Sequence, residues 1–163
     1  MPLRPFENQN CSIARAAEVL TERWTMLILR ELYLGRRRFS EIKRNTGIAS
    51  NILSDRLQML VDEGIAVRVE EEVDGKLVEQ YVPTKKGLDA QPILLLMLAW
   101  GDKYAAPEGP PREIFHKDCG HTIHAKVVCD HCGGDLKPSN TRLRAGPGAN
   151  ARQKAAGEFS AAE

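Results

Sequence analysis

Ile13, Ala16, Ala17 and Leu20 fall at i, i+3, i+4 and i+7, a spacing that predicts a first helix with Ser12 placed to cap it. A second helix spans 22–34, with Trp24, Leu27, Ile28 and Leu32 on one side and Met26, Leu29 and Tyr33 on another. Apolar residues on two sides call for more than one packing neighbour. Gly35 ends that helix, and Phe39 and Ile42 mark a short third one over 40–44, stopped by Asn45-Thr46-Gly47. The fourth, 50–62, sends Ile52, Leu53, Leu57, Leu60 and Val61 inward and closes at Gly64.

Two extended runs follow, 65–72 and 77–82, joined at Val73-Asp74-Gly75-Lys76. Asp-Gly between such runs is a strong hairpin signal. Thr84 then caps a long last helix to about Tyr104, interrupted near its start by Pro92, with 94–100 apolar almost all round. A terminal helix this apolar in so small a domain needs a partner, and a second copy of the chain is the expected one. Helices joined by the tight turn Asn45-Thr46-Gly47-Ile48 and followed by a hairpin describe a mainly α, α+β domain of winged helix-turn-helix type.

The fourth helix carries a polar face opposite its aliphatic one: Asn51, Ser54, Asp55 and Gln58 again fall at i, i+3, i+4 and i+7. Asn and Gln can read adenine edges bidentately, and Ser can reach a base or a phosphate. Arg36, Arg37 and Arg38 precede the third helix, and Lys43 and Arg44 precede the turn, forming a local basic cluster suited to phosphates. The plainer reading is that this face is only solvated. Asp55 and the run Glu70-Glu71-Glu72 favour that reading, since carboxylates repel phosphate.

Charge adds little to either side. Lys and Arg number 23 against 22 Asp and Glu, a formal charge of +1, which excludes a polybasic protein binding nucleic acid through bulk charge. The longest apolar run, 93–100, is far short of the ~20 residues needed to cross a bilayer, and no basic-then-apolar leader opens the sequence. A cytoplasmic location is expected.

Composition divides the chain further. After Lys137 large apolar side chains nearly vanish, so 138–163 is expected to be a disordered tail. From Lys137 on, the chain takes five basic and two acidic residues, leaving a body with 18 cations against 20 anions. A Pro/Gly linker at 107–111 separates the unit 1–106 from a second unit, 112–137. The second unit contains a short repeat, His116-Lys117-Asp118-Cys119-Gly120 and Cys129-Asp130-His131-Cys132-Gly133. Each half reads ligand-x-x-ligand-Gly, a spacing that lets one tight turn present two donors to a metal, with Gly closing the turn. The expectation is a small zinc ribbon with His116, Cys119, Cys129 and Cys132 as a closed tetrahedral shell and His121 as the alternative to His116. Such a segment has too little core to fold alone, so the metal would stabilise it. A reduced pair of thiols without metal is the competing reading.

Several of these stretches also occur together in a known family. Cys11-Ser12-Ile13-Ala14-Arg15-Ala16, Glu22-Arg23-Trp24-Thr25-Met26-Leu27-Ile28-Leu29-Arg30-Glu31-Leu32, Arg38-Phe39-Ser40-Glu41-Ile42, Gly47-Ile48-Ala49, Leu53-Ser54-Asp55-Arg56-Leu57 and Thr84-Lys85-Lys86-Gly87 resemble the HxlR family of winged-helix transcription regulators, relatives of the MarR group. The resemblance is collinear from Cys11 to Tyr104. It implies a homodimer joined by the first and last helices, with two recognition helices in successive major grooves of a pseudo-palindromic double-stranded operator. It implies base-reading roles for Ser50, Asn51 and Ser54, and phosphate or scaffold roles for Arg38 and Arg56. Two departures stand out. Ala49 replaces a frequent capping Ser, leaving Thr46 or water to serve that helix end, and the acidic wing keeps Arg68 and Lys76 as its only cations. Cys11 is either a small apolar residue at the dimer-facing helix or, as in some members of the family, an oxidant sensor whose helix-start position favours the thiolate.

The function expected is a dimeric, sequence-specific transcriptional regulator acting as a repressor. The alternative is a protein-interaction adaptor built on the winged-helix scaffold with the zinc ribbon as its docking module. No phosphate loop, paired carboxylates or Ser/His/Asp pattern supports an enzyme.

Overall fold

The computed structural model describes Phe6, residues 9–157 and the backbone of Phe159–Ser160. The N-terminal unit runs α1 (Ser12–Leu20), α2 (Thr25–Tyr33), α3 (Phe39–Thr46), α4 (Ser50–Asp62), β1 (Ala66–Val73), β2 (Lys76–Pro83), α5 (Lys85–Leu88) and α6 (Gln91–Tyr104). This is a winged helix-turn-helix.

The central helix is α2, on which Thr25, Met26, Ile28, Leu29, Glu31 and Leu32 are all buried. It starts at Thr25 because the Thr25 N–H closes a turn on the Glu22 carbonyl (2.9 Å). Helix α3 gains a residue before Ser40 and two after Arg44. Its entry is held by the Arg38 N–H donating to Glu41 Oε2 (3.0 Å), and its exit by Gly47 at φ 70° with its N–H on the Lys43 carbonyl. Left-handed backbone there requires little of glycine and much of any other residue. Ile28 and Leu29 of α2, Ile42 of α3, Ile48 of the turn and Leu53, Leu57 and Leu60 of α4 form the fully buried core. Ile52, expected inside, is 36% exposed, so the inward stripe of α4 is narrower than its apolar content suggests. Ser12 does not cap α1 but lies inside its first turn; Cys11 holds the N-cap position and gives no side-chain hydrogen bond.

The wing is a two-stranded antiparallel sheet closed by Val73 opposite Lys76. Asp74 (φ 51°) and Gly75 (φ 74°) both take positive φ, the type I′ geometry that matches strand twist. The Tyr81 N–H donates to the Arg37 carbonyl (2.9 Å), which fastens β2 to the loop before α3. Thr84 caps α5 by accepting from the Gly87 N–H (3.2 Å) and also donates to the Gly64 carbonyl (2.7 Å). A Cβ on Gly87 would lie 2.2 Å from the Ile65 carbonyl oxygen, so only glycine fits that contact. The expected single last helix is divided between Leu88 and Gln91, with Pro92 in the first turn of α6, where it forfeits no helical hydrogen bond.

Beyond the linker, one-residue bridges pair Phe115 with Thr122 and Val128 with Asp135. The tail, expected to lack order, carries a 3-10 turn (Pro138–Asn140), β3 (Arg142–Leu143), α7 (Ala151–Ala155) and β4 (Phe159–Ser160). Its order comes from amides and not from apolar burial. Asn150 Oδ1 accepts from the Gln153 N–H, while Asn10 Nδ2 donates to the Gly148 carbonyl (2.8 Å) and to Gln153 Oε1 (2.7 Å). Among the described residues no helix is long and apolar enough to cross a membrane.

One buried charge ties the helices to the basic loop. The Glu31 side chain is 1% exposed and pairs with Arg30 Nη2 (2.7 Å) and Arg36 Nη1 (2.6 Å). Burial pushes the carboxyl up, but Arg36 and then Arg30 outweigh it and hold Glu31 below the ordinary carboxylate range. A folded pKa below the unfolded one contributes stability at neutral pH that fades as pH falls through the folded value. Arg36→Ala strips one partner from a buried carboxylate and should cost roughly 1–3 kcal/mol in urea unfolding at neutral pH. That cost should shrink as the pH is lowered past the carboxylate range, and a flat pH dependence would contradict the assignment.

Candidate nucleic-acid interface

Helix α4 is positioned from beneath. Leu53, Leu57 and Leu60 are each 0% exposed, so the helix cannot rotate without lifting three leucines from the core. Burying each stabilises the fold by about 1.5–3 kcal/mol. The opposite face then presents Ser50, Asn51, Ser54, Asp55 and Gln58 to solvent. Ala49 gives the α4 N-terminus no side-chain cap and no acidic residue occupies its first turn. Thr46 does not take over: its Oγ1 donates to the Ile42 carbonyl (2.7 Å) and receives the Ile48 N–H (3.4 Å). The first-turn amides of α4 therefore face outward beside Ser50 and Asn51.

The predicted cations divide into two groups. Arg37, Lys43 and Arg44 are exposed and enter no ion pair among the described residues. Arg38 is half-buried at the start of α3. The others have protein partners. Arg36 is held by Glu31, and Arg56 Nη2 reaches Glu22 Oε2 (3.2 Å) while its Nε is buried without a hydrogen-bond partner. Arg68 Nε pairs with Glu79 Oε2 (3.4 Å), its Nη2 donates to Gln58 Oε1 (3.0 Å), and its guanidinium sits 5.6 Å from the Tyr81 ring centroid. Gln58 in turn donates to Asp62 Oδ1 (2.8 Å), so both ends of its amide are engaged.

Tyr81 and Glu79 were not foreseen as parts of this surface. Tyr81 donates to Glu79 Oε1 (2.9 Å), and its phenol is pushed up by burial and then by Glu79. Alternation along β2 groups Tyr81 with the exposed Leu77 and Glu79, so no sequence pattern marks it as buried or shows Arg68 lying across it. At the wing tip Lys76 is exposed among Glu70, Glu71, Glu72 and Asp74. Glu70 stands opposite Glu79, a like-charge pair that Arg68 offsets on one side.

Away from this face, the C-terminal unit forms two knuckles. In one, His116 Nδ1 lies 3.3 Å from Cys119 Sγ, while His121 Nδ1 contacts the Cys119 carbonyl oxygen (2.9 Å). In the other, the amides of Cys132 and then His131 hold the Cys129 thiol below its ordinary pKa. All three cysteines are free. Among the described residues no three His, Cys, Asp or Glu side chains stand close enough to hold an ion. Cys11 is exposed at the start of α1, in an open groove shared with Arg15 and with Arg144 and Arg152 of the tail.

A core-clamped helix with a polar outer face, free cations beside it and a hairpin wing define a DNA-binding helix-turn-helix protein. Residues 19–109 match the HxlR-like helix-turn-helix family, and the chain belongs to that family. The HTH-type transcriptional regulator Rv3095 of Mycobacterium tuberculosis is 41% identical over 148 residues, 90% of this chain and 92% of that protein. That span exceeds the family match, so the likeness runs on into the knuckles or tail. The crystal structure of PA1607, assigned as a transcription factor, superposes with a TM-score of 0.76 at 31% identity, covering 85% of this chain and 96% of that one. The reduced form of the transcriptional regulator YodB of Bacillus subtilis gives a TM-score of 0.51 at 30% identity over 60% of this chain and 96% of that one. The chain is thus a DNA-binding transcriptional regulator and not an enzyme.

Proposed function

We propose that this regulator is a dimeric repressor that reads a pseudo-palindromic double-stranded operator through α4. The observation that supports it best is the outward face of α4, fixed by three fully buried leucines, with Ser50, Asn51 and Ser54 exposed beside unpaired cations. Asn51 and Ser54 read base edges, Ser50 and the α4 amides meet a phosphate or base, and Arg37, Lys43 and Arg44 neutralise phosphates. Arg38 supports them from the start of α3. Arg36 and Arg56, held by Glu31 and Glu22, act as scaffold. Arg68 orients Gln58, and Lys76 adds one cation to a wing too acidic to contribute much. Occupying an operator excludes other proteins from the same DNA, which is the repressor's action, and such work takes place in the cytoplasm.

In quantitative gel shifts on the intergenic DNA beside its own gene, Asn51→Ala and Ser54→Ala should each reduce preference for the operator over random DNA by roughly tenfold, within the ~1–3 kcal/mol of a base contact. Gln58→Ala should change it less. Arg37→Ala should weaken binding to all DNA and flatten the salt dependence. Absence of any sequence preference in the unaltered chain would return the adaptor reading, with the C-terminal unit as its docking module.

Dimerisation rests on uncovered apolar surface. No residue of α1 or α6 is buried in the single chain, and Ile13 (78%), Met97 (51%), Trp100 (64%) and Tyr104 (62%) are exposed. The Trp100 and Tyr104 rings meet in a tilted pair, centroids 5.4 Å apart, forming one broad apolar ridge. Pairing α1 and α6 with their copies covers it. Sedimentation of the unaltered chain should give a dimer, and Met97→Glu with Trp100→Glu should give a folded monomer. A variant that stays dimeric would move the interface elsewhere.

Cys11 suits an oxidant-sensing role, since its thiol is free and exposed at the N-cap of α1 and makes no cap hydrogen bond. Cys11→Ser should leave operator affinity intact and abolish release by diamide. An unchanged diamide response in that variant would remove the role.

A further inference from the structure

The C-terminal unit holds its shape without a core. Between 112 and 137 no residue is buried, and Phe115 (64%), Ile123 (38%), Val127 (48%), Val128 (47%) and Leu136 (40%) are all substantially exposed. A segment this small and open lacks the apolar burial to offset its ordering entropy. Something other than packing must hold it.

Its two knuckles are built alike. In the first, the Gly120 N–H returns to the His116 carbonyl (2.7 Å) and the His116 N–H to the His121 carbonyl (2.9 Å). In the second, the Gly133 N–H returns to the Cys129 carbonyl (2.8 Å) and the Cys129 N–H to the Gly134 carbonyl (2.8 Å). Gly120 and Gly133 share the same left-handed φ of 71°. Two turns of the same geometry, each presenting a pair of soft or borderline donors, are an arrangement that an isolated thiol–imidazole hydrogen bond does not account for.

The donor spacing is that of a metal shell. Tetrahedral bonds of about 2.0 Å to nitrogen and about 2.3 Å to sulfur separate two such donors by about 3.5 Å. His116 Nδ1 and Cys119 Sγ stand 3.3 Å apart. His121 instead turns Nδ1 to the Cys119 carbonyl oxygen within its own turn. In the second knuckle Cys129 and Cys132 are carried by one turn, closed by the Gly133 N–H on the Cys129 carbonyl (2.8 Å).

We infer that one structural zinc ion joins the two knuckles, with His116 Nδ1 and the sulfurs of Cys119, Cys129 and Cys132 as its four ligands. The three thiols release their protons to solvent on binding, and neutral His116 supplies a lone pair. Among the described residues the two halves stand apart. The connector between them carries no hydrogen bond from one half to the other among the described residues: Ile123 bonds back to Ile114, and Leu136 to Val127. That leaves it able to close without breaking either turn. Four protein ligands leave no open position, so the ion is structural and not catalytic. Closure also consolidates the edge that faces α6, where Ile114 and Ile123 lie across a cavity of about 60 Å³ from Leu95 and Leu98.

Elemental analysis of the full chain purified under reductant should find one zinc per chain. Cys119→Ser with Cys132→Ser should lower it at least tenfold, while Cys11→Ser keeps it. His116→Ala should lose the metal and His121→Ala retain it. Because the altered unit can be degraded, a second measurement uses the unaltered chain. After chelator treatment, added Co²⁺ should produce thiolate-to-cobalt charge-transfer bands and intense tetrahedral d–d absorption at one equivalent, and protease should cut 112–137 faster before the addition than after. Zinc content unaffected by the double substitution would overturn the site. So would absence of both native zinc and thiolate–cobalt bands, and loss of metal in His121→Ala but not in His116→Ala would overturn the ligand set.

Discussion

The packing of one aliphatic stripe decides what this molecule can present. Leu53, Leu57 and Leu60 of α4 enter a core already formed by Ile28, Leu29, Ile42 and Ile48, and all seven are essentially inaccessible. A helix held on one side at that spacing has its rotation set to within a fraction of a residue step. The exposure of Ser50, Asn51 and Ser54 is therefore a consequence of burial on the far side. Because α2 supplies the floor of this core and also anchors Arg36 through Glu31, helix packing and the loop before α3 are mechanically one unit.

Charge acts on this frame by subtraction. The chain is nearly neutral, and several of its arginines near the α4 face are already paired: Arg36 with Glu31, Arg56 with Glu22, Arg68 with Glu79. The cations left over, Arg37, Lys43 and Arg44, form a small patch beside α4, while the wing tip gathers Glu70, Glu71, Glu72 and Asp74. Repulsion between that tip and phosphate disfavours approaches in which the wing leads. With so few free cations the proposed phosphate contacts are few, and target choice is expected to rest on α4. The pairing proposed through the apolar ridge on α6 follows the same logic, since two weak DNA-binding faces gain from being joined.

Much of this was legible in the residues. The boundaries of α4, the Asp74-Gly75 turn, the Thr84 cap and the buried leucines follow from period and turn chemistry, because they are local and each residue type has one physical role there. What escaped was non-local. Arg36 reads as one of three equivalent arginines until Glu31 is seen buried behind it, and Gln58 reads as a base reader until Arg68 is seen arriving from a strand ten residues on. In the tail, composition shows only the lack of apolar bulk, while Asn10, Asn150 and Gln153 make amide hydrogen bonds that composition does not weigh. The knuckle repeat was visible as spacing, and the structure adds which histidine faces the thiol. The break between α5 and α6 was legible in part, from Pro92, whereas the packing of Gly87 on the Ile65 carbonyl, a contact distant in sequence, was not.

Helix α4 is the surface proposed to meet DNA. Amide chemical-shift mapping by two-dimensional ¹H–¹⁵N NMR, with operator DNA titrated into the labelled full chain, tests this residue by residue. The largest changes are expected at Ser50, Asn51 and Ser54 and next at Arg37 and Arg44, with the amides of Glu72 to Gly75 nearly still. Changes centred on the wing tip or on the two knuckles, with α4 unmoved, would contradict it.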